Sequence, residues 1–308
     1  MATLTSGQHL TQYVGPQLLQ EFRNYNDDFV GVIPGAPAKA VSADGLRFNK
    51  LINNVGFLVN NTAKFTPNKM NGEKVFVEWE KYDTTPTEVD DAEIRALPYD
   101  KRSEVRIKHT ESFKIGYRNH ILHKLCPSDT TNPDMPVVRT TGADDGTGRK
   151  RLTFADLVKY LETVKKLNLP NADQLYMILC PEHSTDLILD RDSANYFSNK
   201  EIFFDMKTGK VRSVMGFKFF ENNDTPAFDA AGTKKPLGAA LIATDQKASV
   251  FFYAPNSVKH LEKVKILYKD EHEDTRNADP TSEFRTQTYG LVDRVVDYGF
   301  GAIVSDNV

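Results

Sequence analysis

Between Asn168 and Phe217 the chain runs NLPNADQLYMILCPEHSTDLILD and later TGKVRSVMGF, an order of turns and apolar runs that leaves little freedom in how it can fold. Leu169-Pro170-Asn171 makes a turn, and Leu175 to Cys180 is an apolar run long enough for a buried strand and too short for a membrane helix. Pro181 ends that strand. Glu182 to Asp190 places His183, Leu187 and Ile188 at helical spacing, and Thr208-Gly209 turns the chain toward a second strand that closes on Gly216-Phe217.

The 308 residues, 40% of them hydrophobic, can bury a sizeable core as one large or two ordinary domains. A net charge of −3 and an isoelectric point near 6.2 argue against gripping nucleic acid by counterion release, which needs clustered Lys and Arg. Cys126 and Cys180 are the two cysteines. Cys180 ends an apolar run where a small buried thiol fits, so no disulfide framework is implied and a reducing cytoplasm is the expected site of folding. The start, Met-Ala-Thr-Leu-Thr-Ser-Gly-Gln-His, has neither a basic run nor a long apolar core. No signal peptide is expected, and no apolar run is long enough to cross a bilayer.

Residues 1 to about 60 carry scattered apolar groups, among them Leu18, Leu19, Phe22, Phe29, Val32 and Ile33, broken by Pro16, Pro34 and Pro37. A short helix after Pro16 is expected, with the rest extended and packed against something. Lys74 to Glu80 alternates, with Val75, Val77 and Trp79 on one face, and Glu104 to Lys108 alternates with Val105 and Ile107 inward, continued by Phe113, Ile115 and Tyr117. Two strands paired as a long hairpin are predicted, with an acidic, proline-broken tip over 82–102. A lone hairpin is marginal in water. Ordering the roughly 110 residues of arm and hairpin costs about 1–2 kcal/mol each, and thin elements recover little of this by burial. Both segments therefore need neighbours, which points to an obligate assembly.

Arg151 to Leu167 reads as the best helix. Thr153 caps it with Asp156 three residues on, and Phe154, Leu157, Val158, Leu161 and Val164 form one stripe opposite Lys159, Glu162, Lys165 and Lys166. Strands are expected at Ala239 to Ala243, Ala248 to Tyr253, Leu261 to Tyr268 and Phe284 to Asp297, with a charged turn over 269–280 and a short terminal strand through Phe300 and Ile303.

In this segment order the chain resembles the major capsid proteins of tailed bacteriophages, the Hong Kong 97-type coat fold. The turn with proline, apolar strand, proline-led helix, Thr-Gly hairpin and Gly-Phe strand are similar to its axial domain. The resemblance implies an α+β fold with an N-terminal arm (1–60), an extended-loop or E-loop hairpin (61–118), a peripheral domain with a long spine helix (119–167), an axial domain (168–256), and peripheral long strands with the C-terminal segment (257–308). The family often carries an arginine-rich strand leading to a proline; Arg285 and Arg294 are present here, but Tyr298-Gly299-Phe300 stands where the proline would be.

The resemblance implies a structural, non-enzymatic shell subunit of the virion, made in the host cytoplasm and forming pentamers and hexamers around double-stranded DNA that it does not read by sequence. Scaffolding and portal proteins, and a decoration protein, are the implied partners, with no membrane, cofactor or metal. No charged helical segment precedes the arm, so a fused scaffolding domain is not expected. Inter-subunit contacts are assigned to Phe22 and Phe29 in the arm, Val75, Val77 and Trp79 in the hairpin, and the E-loop charges Glu88, Asp90, Asp91, Arg102 and Arg106. In the founding member a lysine of this loop joins an asparagine of another subunit. Lys81 and Asn277 lie in the corresponding loops, but nothing local identifies a catalytic carboxylate and no crosslink is expected. The nearest rival is an encapsulin-type nanocompartment, which shares the fold but encloses protein cargo; the acidic tip and long arm favour the phage reading.

Other chemistry is weaker. His120, His123 and Cys126 have an H-x-x-H-x-x-C spacing that could supply three metal ligands of a cytosolic enzyme, but a matching fourth ligand is missing. The loop from Gly142 to Lys150 lacks the G-K-[ST] ending of a phosphate loop, and Asp144 and Asp145 would repel phosphate. His183-Ser184 lacks the glycine-flanked elbow of an esterase. The acidic carboxylates of the tip lack the EF-hand order and instead suit contacts with basic groups of a neighbour.

Overall fold

The computed structural model describes residues 28–51, 55–64, 72–90, 101–190, 216–276, 278 and 280–307. The expected helix after Pro16 and the Thr208-Gly209 turn lie outside them. In chain order, β1 (Gly45–Leu51) pairs antiparallel with β2 (Gly72–Glu78), and β3 (Glu80–Asp83) and β4 (Thr87–Asp90) follow. Helix α1 (Lys101–Leu125) is next, then β5 (Val137–Arg139), α2 (Phe154–Lys166), β6 (Leu175–Leu179) and α3 (Pro181–Leu189). The chain continues through β7 (Phe217–Glu221), β8 (Ala227–Phe228), β9 (Gln246–Tyr253), β10 (Ser257–Leu261), β11 (Lys265–Lys269), β12 (Thr281–Arg294) and β13 (Phe300–Val304).

The larger sheet has the order β5-β13-β9-β6-β7, with β8 on β9. Its strands alternate between two cores. Leu175, Met177, Leu179, Phe251, Tyr253 and Ile303 face Leu157, Tyr160, Leu161 and Val164 of α2 and Leu187 of α3. Ile178, Val250, Phe252, Ala302 and Val304 face Ile121, Leu122 and Leu125 at the end of α1, together with Phe29 and Ile33. This two-sided burial explains the nearly continuous apolar run of β6 and β9. Gly301 is obligatory, since a Cβ there would stand 2.1 Å from Tyr160 Oη. The capping box of α2 forms as read: Asp156 N donates to Thr153 Oγ1 at 3.2 Å, and Thr153 N donates back to Asp156 Oδ2 at 3.2 Å.

The smaller sheet is three long strand paths. β12 is the centre, with β10 and β11 along one side and β3 and β4 along the other, all antiparallel to it. Helix α1 runs from this sheet to the larger one and is about 37 Å long for its 25 residues. Its far end is capped by Lys234, whose Nζ donates to His123 O at 2.7 Å and Cys126 O at 2.8 Å.

Several expectations are corrected. Glu104 to Lys108 and Phe113 to Tyr117 are helix, not strand, and the long helix is α1 rather than the 13-residue α2. The alternation of Val105 and Ile107 misleads because two of the five buried positions of α1 are polar, His109 and Arg118, so an apolar stripe shows only near its end. The strand over Lys74 to Glu80 exists, but its partner is β1. Residues 80–90 form β3 and β4 rather than an acidic loop tip, because Val89 is buried and Thr84 bonds across to Thr286. Ala239 to Ala243 is a loop, and the strand expected over Leu261 to Tyr268 breaks between β10 and β11. Helix α2 and strand β13 pack with the larger sheet, not with the β12 paths.

Candidate assembly surfaces

Among the described residues, the hairpin β1–β2 packs on the rest of the chain at its base. Leu46 is buried with Val258 and Leu291, and Phe48, Val77 and Trp79 pack around them. Trp79 Nε1 donates to Ser42 O at 3.2 Å, and its ring lies 5.1 Å from that of His260. Gly45 is required because a Cβ would meet Val77 O at 2.1 Å. Along β2, Val75 and Val77 are half-buried, whereas the alternate residues Lys74, Phe76 and Glu78 are exposed. The Arg47 guanidinium covers the Phe76 ring at 5.4 Å.

Residues 55–64, between the two strands, are all exposed. Asn60 adopts a left-handed φ of 51°, which asparagine tolerates, and Asn61 Oδ1 accepts from Ala63 N at 3.0 Å, so the chain bends there. Just before the bend stand Phe57, Leu58 and Val59, at 90%, 61% and 73% exposure. Burying side chains of this size is worth about 1.5–3 kcal/mol each. A contiguous apolar segment left in water on a projecting element marks a contact surface.

The residues singled out in the sequence divide. Val75, Val77 and Trp79 share the hairpin face that was expected. Phe29 is buried in the core of its own chain, where no neighbour can reach it. Glu88 and Asp90 lie in β4 opposite Glu283 and Thr281, not in a loop. Arg102, in the first turn of α1, forms an ion pair with Glu271 of the same chain, while Arg106 is exposed on that helix. Phe22 and Asp91 lie outside the described residues. Lys81 lies in β3 and pairs with Asp83 at 2.9 Å, and Asn277 is outside the described residues.

The candidate chemical groups are absorbed by packing. His120 Nε2 lies 2.6 Å from Glu80, His123 Nε2 lies 3.0 Å from Lys235 O, and Cys126 is buried, so the three residues go to separate partners. Burial would raise the Glu80 carboxyl, but hydrogen bonds from His120, Lys124 and Tyr82 outweigh it and hold it at about 2. In the loop before α2, Asp144 Oδ1 accepts from Gly146 N and Gly148 N at 2.9 and 3.1 Å, and Asp145 Oδ1 accepts from Thr147 N at 2.8 Å. Those amides are occupied by the loop's own carboxylates. Arg149 forks onto Asp186 at 2.7 and 3.0 Å, and His183 sits between Ser249 and Ser305 at 2.7 and 2.8 Å. Burial pushes the His183 imidazole down to about 4, so it stays neutral. This network fastens α3, β9 and β13 together.

Sequence reading missed the exposed tip itself. Its signal was present: five residues, Val55-Gly-Phe-Leu-Val59, followed by the turn pair Asn60-Asn61.

This chain, with its hairpin, a helix crossing between two sheets and a long central β12, superposes on several solved structures over nearly its whole length. The capsid structure of the cyanophage P-SCSP1u superposes with a TM-score of 0.68 at 14% identity, over 97% of this chain and 93% of that one. The chain has the phage capsid fold. The capsid of cyanophage Pam1 gives 0.67 at 10% identity over 98% of both chains, and the head of Helicobacter pylori bacteriophage KHP40 gives 0.63 at 12% identity over 100% of both. No protein-family model and no curated sequence matches the chain. The capsid fold is thus kept while nearly nine residues in ten differ, as expected where patterning rather than identity specifies the core.

Proposed function

We propose that this chain is the major capsid subunit of a tailed-phage head, assembling as pentamers and hexamers into an icosahedral shell around double-stranded DNA. The observation that carries the reading is the projecting hairpin with Phe57, Leu58 and Val59 in water, on a chain whose fold is that of phage capsids over nearly its whole length. A subunit that leaves such a segment uncovered gains stability by meeting copies of itself. Its role is mechanical, and no residue is assigned to catalysis. The net charge of −3 suits DNA driven inward by a motor, because a strongly basic lining would hold DNA and resist its movement. A separate scaffolding protein, a portal and a decoration protein are the partners this role implies, with assembly in the host cytoplasm. The encapsulin reading is not favoured, since the similar structures are phage heads.

Electron microscopy of the purified protein, alone and with its scaffolding protein, tests the proposal. Closed shells are expected. Small discrete oligomers under both conditions would overturn it.

A further inference from the structure

We infer that His109 is a proton-released latch: in mild acid it frees the first half of α1 from the smaller sheet, while Glu80 keeps the second half in place. α1 packs on β12 and along β3 and β4, and it meets them at two polar stations. At the first, His109 is 6% exposed and stands between two hydroxyls, with Thr84 Oγ1 2.6 Å from Nδ1 and Thr87 Oγ1 2.9 Å from Nε2. Its ring lies edge-on to Phe284 at 4.9 Å, and Thr84 Oγ1 also accepts from Thr286 N at 2.9 Å, so one side chain ties α1 to β4 and β12. At the second station, about three turns further along, His120 Nε2 lies 2.6 Å from Glu80 Oε2. The same carboxylate accepts from Lys124 Nζ at 2.7 Å and from Tyr82 Oη at 2.8 Å.

The two rings differ in the charges that face them. Along β12 the buried side carries Ser282, Phe284, Thr286 and Thr288, none of them titratable in this range, whereas Glu283 and Arg285 point the other way and meet Lys269 at 3.3 Å and Asp83 at 3.6 Å. On β3, Lys81 and Asp83 alternate with Glu80 and Tyr82 and pair with each other at 2.9 Å. On β4, Glu88 is exposed, and Asp90 alternates with the buried Val89. On α1 itself Arg106 is exposed, Lys108 pairs with Glu111 at 3.2 Å, and Arg102 pairs with Glu271. Among the described residues no carboxylate faces His109.

A neutral imidazole is satisfied here, because one hydroxyl can donate to the ring while the other accepts from it. A proton adds a second N–H and a buried charge that two hydroxyls cannot neutralise, and burial accordingly holds His109 below its ordinary 6.5. At His120 an added proton meets the Glu80 carboxylate, which its three donors keep ionised. A group lowered in this way steadies the fold fully above its free value and loses that contribution as pH falls toward the folded one. The latch is therefore closed above pH 6.5 and loosens below it, with opening that takes up one proton growing by up to about tenfold per pH unit.

Amide exchange of the full-length unassembled chain, compared at pH about 7.5 and about 5 after correction for the intrinsic pH dependence of exchange, tests this. Protection over 105–112 is expected to fall on the order of tenfold at the lower pH relative to protection over 117–125. His109→Gln keeps a donor and an acceptor but takes up no proton, so its 105–112 segment should stay protected at both values. His120→Gln should leave the response of that segment as in the unaltered chain. An even loss along α1, or a response in His109→Gln equal to that of the unaltered chain, would overturn the inference. Should His109→Gln fail to fold, the unaltered chain decides alone: a fall confined to the first half of α1 supports the latch, and equal protection of 105–112 at the two pH values removes it.

Discussion

The six-stranded sheet is covered on both faces, whereas among the described residues the hairpin β1–β2 is covered at its base alone. In the sheet, Phe251 and Phe252 are adjacent on β9, point to opposite sides and are both fully buried. In the hairpin, Phe76 and Val77 are likewise adjacent, yet Phe76 is exposed and Val77 only half-buried. Similar strand chemistry serves two ends. The sheet draws its stability from its own chain, whereas on the proposed shell reading the hairpin draws on another.

The largest effect that would sharpen this contrast is Phe251→Ala. Its ring packs edge-on against Tyr160 at 5.8 Å and Phe217 at 5.6 Å, so truncation opens a cavity between β9 and α2. A loss of about 3–5 kcal/mol in the unassembled subunit is expected from denaturant unfolding. A loss under about 1 kcal/mol would show that the sheet, too, leans on neighbours.

Acid should act next, and on the sheet first. His183 titrates near 4 in the fold, below its ordinary 6.5, because burial disfavours the cation. Its contribution is therefore complete above pH 6.5 and is lost as pH falls toward 4, by about 3 kcal/mol in all. Burial also lowers the His109 imidazole, held between Thr84 Oγ1 at 2.6 Å and Thr87 Oγ1 at 2.9 Å, which adds loss in the same direction. Glu80, lowered to about 2, adds its own loss only below its ordinary 4.5. In His183→Gln the melting temperature should depend less on pH between 6.5 and 4. An unchanged slope would place the acid-sensitive group elsewhere.

What could be read from the sequence follows the same division. Helix α2, β6, α3 and β9 bury apolar groups at regular spacing, and a capping box or a proline marks two of their starts, so periodicity finds them. Helix α1 buries His109 between two threonines and Arg118 against Asp224, contacts supplied by residues distant in sequence, and no local pattern reveals them. β3 and β4 look like a solvated acidic loop because their partner, β12, lies some two hundred residues away in the register Gln287↔Asp83 and Thr281↔Asp90. The hairpin strand over Lys74 to Glu80 was legible from its alternation, but its partner β1 was not, since Glu104 to Lys108 alternates as well and is helix. Which residues are exposed was not legible either, because the apolar run Val55 to Val59 before Asn60-Asn61 looks like one more core segment until it is seen to lie outside every core.

The smallest effect on stability is also the sharpest test of the contrast. In Phe57→Ser with Leu58→Ser, two side chains already in water become polar, so the unfolding midpoint of the unassembled subunit should move by no more than about 0.5 kcal/mol. Assembly should respond in the opposite way, with shell yield collapsing, because each contact is repeated in every subunit of a closed shell and the losses accumulate. If the midpoint instead falls by more than about 1 kcal/mol, the tip packs within its own chain and the contrast between hairpin and sheet fails. If the midpoint holds and shells form at full yield, the segment is exposed without serving assembly, and what holds the copies together must be sought on the exposed face of α1 around Arg106 and Ile107.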